Sequence, residues 1–369
     1  MRILLVGPYA LDRQYSIPAF VSALKTGLCD LNQQVKTCAP QESRGGRALK
    51  PLLRRRSAFY DKFVAFLPEL RRKAKNADVV LIAEHGYAIY QKSLRNKPHV
   101  VVCHDLIVAK AALGEINDWP LTIPAKRYQF SILKHLRAAD RVVCASECTR
   151  QDVLRLTNRP LEKTPLIYDG FVRQMPRMSE AESAEVLQNT GIPLDSDWFM
   201  HIGGNQPNKN KIGVAKIYAE LQKHAATRSL GLVMAGAMPS DEVREVLANV
   251  HDPSKAHFLN LPSDEQVRAL YSRARALLFP SSYEGFGLPI IEAQSAGCPV
   301  ITTNRPPMTE VAGDAAILID PTNPVQAAKE IAAQMANLTE FIPKGLANIE
   351  RFSTDLMAKN YLEVFKEMV

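Results

Sequence analysis

Short apolar runs rich in valine, isoleucine and leucine alternate along this chain with stretches whose apolar residues return at helical spacing. Runs of the first kind at residues 2–6, 35–38, 79–83, 100–103, 141–145 and 165–167 predict strands, and stretches at 17–31 and 124–138 predict helices between them. The scheme then repeats, with strands predicted at 198–202, 231–235, 256–259, 275–279, 299–302 and 316–319 and helices at 266–272, 288–296 and 324–337. Ser263 and Gln266 hold the two ends of a capping box, a hydroxyl for a free amide and a reciprocal side chain three residues on. Such alternation is how a parallel sheet wrapped by helices reads, so two α/β units in tandem are expected. A polar stretch from Arg173 to Asp195 separates the two series, which places the units at 1–175 and 190–350. The 369 residues suit two domains of ~100 to 200 residues better than one core.

Composition narrows the class without changing this outline. A hydrophobic fraction of 46% with 23% charged residues supplies real cores and excludes a wholly disordered chain. No apolar run approaches the ~18 to 20 residues of a membrane span, and the opening Met1 to Gly7 is too short for a secretory core, so a cytosolic protein is expected. The six cysteines lack CxxC spacing and are expected as free thiols; Cys144 and Cys148 have no companion pair in metal-ligand spacing.

The net charge of +8 is unevenly placed. Arg44, Arg47, Lys50, Arg54, Arg55, Arg56, Lys62, Arg71, Arg72, Lys73 and Lys75 crowd one stretch whose acids are Glu42, Asp61 and Glu69. Phe59, Tyr60, Phe63 and Phe66 run beside them at near-helical spacing. Two readings stay open: an interfacial segment on an anionic membrane surface or an acidic acceptor, and a solvated basic face over an ordinary core stripe. No zinc-finger, helix-turn-helix or RNP pattern points to nucleic acid.

In open parallel sheets ligands bind beyond the carboxyl ends of strands, which directs attention to four strand-to-helix junctions. After the run at 275–279, two glycines, Gly285 and Gly287, permit a sharp turn and Pro289 stands where a helix takes its first residue. Amides around Phe286, Gly287 and Leu288 would then meet a diphosphate at the positive end of a helix dipole. Glu292 lies about one turn further on, placed for two vicinal hydroxyls of a ribose, and Glu284 stands on the other side of the turn.

Glu284 and Glu292 with seven residues between them, within EGFGLPIIEAQSAGCPVITTNRPPMTEVAGDAAILIDP, resemble the E-x7-E signature of retaining GT-B glycosyltransferases, family 4 (group 1) in particular. The resemblance is dense over residues 270–321. It implies two Rossmann-like doubly wound domains facing each other across a cleft, the first for acceptor and the second for a nucleotide-sugar donor, with a terminal helix at about 352–369 crossing back onto the first. It implies that Glu292 binds the donor ribose and that Glu284, Gly285, Phe286, Gly287 and Leu288 contact the transferred sugar and the diphosphate. A second junction, His201 to Lys211 with Gly203 and Gly204, resembles the family's glycine-containing loop, which puts Lys209 on the departing diphosphate. Gly204 and Asn208 stand where many relatives carry an arginine; Lys211 or a residue from elsewhere is left to compensate.

The third junction, Val100 to Leu106, resembles the family's histidine-containing motif, which implies His104 on the donor sugar and Asp105 shaping the acceptor side. A strand-end histidine bonded to a neighbouring carbonyl is the plainer reading of His104. The fourth, from Gly7 through Tyr9 to Ser16, lacks both the family's paired glycines and the GxGxxG of a dinucleotide site. Asp169-Gly170 replaces the family's asparagine-glycine turn. Asp195-Ser196-Asp197 imitates a metal-binding DxD but precedes its strand, so it reads as a surface turn and no metal site is expected.

The whole implies a retaining, metal-independent hexosyltransferase without cofactor, resembling mannosyl and rhamnosyl transferases of bacterial surface polysaccharides. GDP-mannose is the first donor expected and UDP-sugars the next, with a glycan or lipid-linked saccharide as acceptor and a peripheral place at the inner face of the cell membrane. A non-catalytic glycosyltransferase-like subunit that binds sugar nucleotide or glycan is the alternative, and a GT-B sugar-nucleotide epimerase a smaller one.

Overall fold

The computed structural model describes residues 1–12, 16–43, 57–94, 96–170, 173 and 175–369. The chain forms two compact bodies, one of Met1–Val172 with Phe352–Val369 and one of Arg173–Arg351. Each is a parallel sheet covered by helices.

The sheet of the first body runs β2-β1-β3-β4-β5, from β1 (Arg2–Val6), β2 (Gln34–Cys38), β3 (Val79–Ile82), β4 (His99–Cys103) and β5 (Arg141–Cys144). Ile3 pairs with Val35 on one side and Val79 on the other, and Val100 stands between Leu81 and Arg141. Leu4, Val80 and Val101 pack against Leu136 on one face, while Ile3, Val79 and Val100 pack against Leu24, Tyr361 and Phe365 on the other. Burial on both faces is why these strands read as continuous apolar runs. Residues 165–167, expected as a strand, make a single bridge between Leu166 and Cys144. Pro165 has no N–H to extend a ladder, and the chain turns away at Asp169-Gly170.

Ser353 caps the helix Thr354–Lys366, which lies on the helix Ser16–Asp30. The approach depends on Gly27: a Cβ there would stand 2.7 Å from Cβ of Ala358.

The second sheet runs β11-β10-β9-β6-β7-β8, from β6 (Trp198–Gly203), β7 (Gly231–Gly236), β8 (Ala256–Asn260), β9 (Ala276–Phe279), β10 (Val300–Thr303) and β11 (Ala316–Ile319). The capping box at Ser263 and Gln266 is present, opening the helix Asp264–Arg273. The helix expected over 324–337 ends at Gln334, where the chain tightens into the 3-10 turns of Met335–Glu340. The polar stretch between the two series holds a helix of its own, Glu180–Leu187, opened by a second capping box of Ser179 and Glu182. In each sheet the strand order reverses once, between β1 and β3 in the first and between β6 and β9 in the second. Loops diverge there and leave a crevice at the carboxyl ends of the strands.

Candidate functional site

At the reversal in the second body, the loops after β6 and β9 are sewn together by two asparagines. Asn208 donates Nδ2–H to the Tyr283 carbonyl at 2.9 Å, and its own carbonyl accepts from Ser282 N at 2.9 Å. Asn210 sits in the left-handed region at φ 51°, accepts from Gly213 N at 3.1 Å to cap the helix Lys211–Leu221, and donates to the Pro280 carbonyl at 2.9 Å. Between these ties, Lys209 reaches across to Glu284, its Nζ 2.8 and 3.0 Å from the two carboxylate oxygens. Lys209 Nζ also lies 5.5 Å from the centre of the Phe279 ring.

Glycines let the strands end this close together. Gly236 has φ 110°, and a Cβ on it would fall 2.3 Å from the Gly203 carbonyl oxygen. Gly204 folds against Gln206, and Asn208 is committed to loop tying, so neither position offers a cation. Lys211 Nζ is bonded to Asn205 Oδ1 at 3.0 Å and to the Ala237 carbonyl, at the end of β7 and apart from the Lys209–Glu284 pair. Burial pushes the Lys211 ammonium down to about 8.

Beyond Glu284, Gly287 turns the chain with φ 111° and caps the helix Leu288–Ser295, with Pro289 in its first turn. Phe286 is buried against this turn, whose helix presents its positive dipole end beside Glu284. Glu292, one turn along, is 1% exposed. Its Oε1 accepts from Arg173 Nε at 3.0 Å and Nη2 at 2.5 Å, and its Oε2 accepts from the Tyr271 hydroxyl at 3.2 Å. Arg173 also donates to Asp264 at 2.8 Å. Burial raises the Glu292 carboxyl above its ordinary range even though Arg173 and Tyr271 pull it down.

The sequence reading gave Arg173, Tyr271 and Asp264 no part in the site. Arg173 lies 119 residues before Glu292, so no local pattern joins them.

In the first body, His104 follows β4 with both ring nitrogens engaged, Nδ1 with Asp169 at 2.9 Å and Nε2 with the Ala83 carbonyl at 3.0 Å. Burial works against the imidazolium, but Asp169 outweighs it and raises the ring to about 9. The carbonyl bond fits the plainer sequence reading; the partner at Asp169 was not foreseen. Gly170 makes that turn possible, because a Cβ there would lie 3.1 Å from Thr354 Cα. Asp105 accepts from Ile107 N at 3.0 Å at the start of the helix Ile107–Ala112.

The first junction is occupied by its own network. Tyr9, 2% exposed, donates to Asp61 at 2.8 Å, and Tyr87 donates to Asp12 at 2.6 Å. Lys62 salt-bridges Asp12 at 3.0 Å. Gly7 gives its N–H to the Cys38 carbonyl at 2.8 Å.

Residues 44–56 of the basic stretch, with Arg44, Arg47, Lys50, Arg54, Arg55 and Arg56, lie outside the described residues. Of its described aromatics, Phe66 is buried and Phe59 exposed. Asp195 and Asp197 stand ahead of β6, at its amino end. Among the described residues no three His, Cys, Asp or Glu side chains gather as a metal site would, and no helix is long and apolar enough to cross a membrane. Cys29, Cys38, Cys103, Cys144 and Cys298 are free thiols.

Two family models match this chain in succession. The one described as Glycosyltransferase Family 4 matches residues 20–172, and the one described as Glycosyl transferases group 1 matches residues 183–340. The chain belongs to glycosyltransferase family 4. Its glycosyltransferase fold is of the GT-B kind, similar over its full length to HepE of Anabaena, solved with UDP-glucose, at 13% identity and a TM-score of 0.77. By sequence this glycosyltransferase is 27% identical to O-antigen chain mannosyltransferase B of Escherichia coli across 75% of each chain. It is 29% identical to the serotype-specific mannosyltransferase WbdA of Escherichia coli over 54% of its own length, a stretch that spans 25% of WbdA.

Proposed function

We propose that this glycosyltransferase moves mannose, or a related hexose or deoxyhexose, from GDP-mannose to a glycan or lipid-linked saccharide during surface-polysaccharide synthesis, with retention and without a metal ion. UDP-sugars are the next donor class. The mannosyltransferase names of its sequence relatives support the sugar.

The observation that carries the reading is the Lys209–Glu284 pair, held at the strand reversal next to a glycine-capped helix start. A cation and a dipole end there suit a departing diphosphate, while the carboxylate beside them suits sugar hydroxyls. On donor binding Lys209 transfers from Glu284 to the diphosphate, and Glu284 turns to the sugar. The Gly203-Gly204 turn and the segment Gly285 to Leu288 line the diphosphate, and Glu292, oriented by Arg173 and Tyr271, takes the ribose. His104, kept charged by Asp169, and Asp105 serve the sugar and acceptor side from the first body.

In the reaction the bond from the anomeric carbon to the phosphate oxygen breaks, and the acceptor hydroxyl attacks from that same face. Its proton passes to the phosphate oxygen that leaves, so no protein base is needed. Lys209 and the helix dipole offset the charge that develops.

The test is a thermal-shift panel of nucleoside diphosphates on the chain and on Glu292→Ala, followed by transfer from GDP-mannose in EDTA with the product anomer read by NMR. Stabilisation by GDP that Glu292→Ala loses, and an α product from the α donor, support the reading. An unchanged shift in Glu292→Ala, an inverted product or an absolute need for metal refutes the corresponding part.

A further inference from the structure

The carboxylate of Glu292 is nearly full before any ligand reaches it. An ionised carboxylate offers about four lone-pair sites. Oε1 accepts from both Nε and Nη2 of Arg173, and Oε2 accepts from the Tyr271 hydroxyl. A single site, on Oε2, is left. The sequence spacing offers Glu292 to both vicinal hydroxyls of a ribose, but in the folded protein it has room for one.

Arg173 supplies what Glu292 lacks. Its Nε–H and one Nη2–H are spent on Glu292 and one Nη1–H on Asp264, which leaves a second hydrogen on each Nη. Because Nη2 is itself bonded to Oε1, its free hydrogen stands beside the open site of the same carboxylate. Asp264 holds the far end of the guanidinium and so fixes the plane of the fork.

Burial gives the direction of approach. Tyr271 is fully buried and the Glu292 side chain is 2% exposed, whereas the Arg173 side chain is 31% exposed. A ligand arriving from solvent meets the guanidinium as soon as it meets the carboxylate. Displacing Arg173 altogether would strand a buried charge among neutral hydroxyls, a cost that their hydrogen bonds do not offset.

A vicinal diol suits a carboxylate and a guanidinium side by side, since a hydroxyl both donates and accepts. We propose that Arg173 is itself a nucleotide-binding residue: one ribose hydroxyl donates to Oε2 of Glu292, and its neighbour accepts from the guanidinium of Arg173. This rests on the reading of Glu292 as the ribose residue and gives that site a second, cationic half. Arg173 thereby helps the site select ribonucleotides over analogues that lack the second oxygen.

The experiment titrates the full chain by calorimetry with GDP and with two analogues carrying fluorine in place of the 2′ or the 3′ hydroxyl. Fluorine cannot donate, and its partial negative charge is repelled by a carboxylate but tolerated by a guanidinium. One analogue is expected to bind within about threefold of GDP, and the other to bind roughly tenfold more weakly or worse, the scale of one lost bond to a charged group. Glu292→Ala should remove the penalty at the intolerant position. Arg173→Met should bind GDP and its deoxy analogue at the tolerant position alike, where the unaltered chain prefers GDP. The fluorine comparison needs no variant, so it decides even if Arg173→Met does not fold. Equal effects of fluorine at both positions, with GDP binding that still depends on Glu292, leave the ribose assignment standing and overturn the role given to Arg173. GDP binding that Glu292→Ala leaves unchanged overturns the ribose assignment and this proposal with it.

Discussion

Lys209 holds both carboxylate oxygens of Glu284, at 2.8 and 3.0 Å, across the crevice where the second sheet reverses its strand order. By the proposed reading, a donor diphosphate competes for that lysine and sugar hydroxyls compete for that glutamate.

Lys209→Met is therefore expected to lower kcat by roughly 100-fold or more, the usual loss when one stabilising donor is removed from a developing anion. Glu284→Gln frees Lys209 for phosphate while weakening the hold on the sugar. It should keep or tighten nucleoside diphosphate binding and still lower kcat. Steady-state nucleotide release together with calorimetry separates the two effects. Weaker diphosphate binding in Glu284→Gln would contradict the competition.

Arg173 offsets the charge of a glutamate buried at 1% exposure. Removing one partner of such a pair costs about 3 kcal/mol, so Arg173→Ala should be markedly less stable. The loss depends on pH. With its folded-state carboxyl raised above the unfolded value, Glu292 binds more protons folded than unfolded, so stability falls as pH rises through that window. Without Arg173 the carboxyl rises further and the slope steepens. Urea denaturation at pH 5.5 and 8 measures this, and an equal loss at both would reject the ion pair as its origin.

His104 runs with the same sign from another cause. Its ring is raised to about 9 by Asp169, above an unfolded value near 6.5. The stabilisation is whole below about pH 6.5 and is lost as pH climbs through about 9, amounting to about 3 kcal/mol at most. Asp169→Asn should flatten this dependence and bring the imidazole titration, followed by NMR, below 6.5. A ring that still titrates near 9 in that variant would remove Asp169 as the cause.

These pairs also show where sequence reasoning reaches and where it stops. The apolar runs of β1, β3 and β4 announced a doubly covered sheet because their side chains meet helices on both faces. The turn at Gly285 to Leu288 was equally plain, since glycines, a proline and two glutamates act within one short stretch. Residues 165–167 misled because three residues after a strand-like gap carry too little pattern to tell a bridge from a strand. Arg173 and Tyr271 around Glu292, and Asp169 beside His104, were hidden for a different reason. They lie 119, 21 and 65 residues from the groups they serve, and only the folded sheet brings them together.

The docking of the terminal helix onto the first body gives the last prediction. Gly27 lies in the helix Ser16–Asp30, where alanine is intrinsically better by ~1 kcal/mol, so Gly27→Ala would stabilise an isolated helix. Here the added Cβ would come within 2.7 Å of the Ala358 Cβ, and both atoms are fixed to helical backbone. The helices must separate, at an overpacking cost of about 1 to 3 kcal/mol that outweighs the propensity. Gly27→Ala should lower Tm, and adding Ala358→Gly should restore much of it, because a contact pair couples where distant sites merely add. Purely additive effects in that cycle would mean the two helices do not meet at these residues.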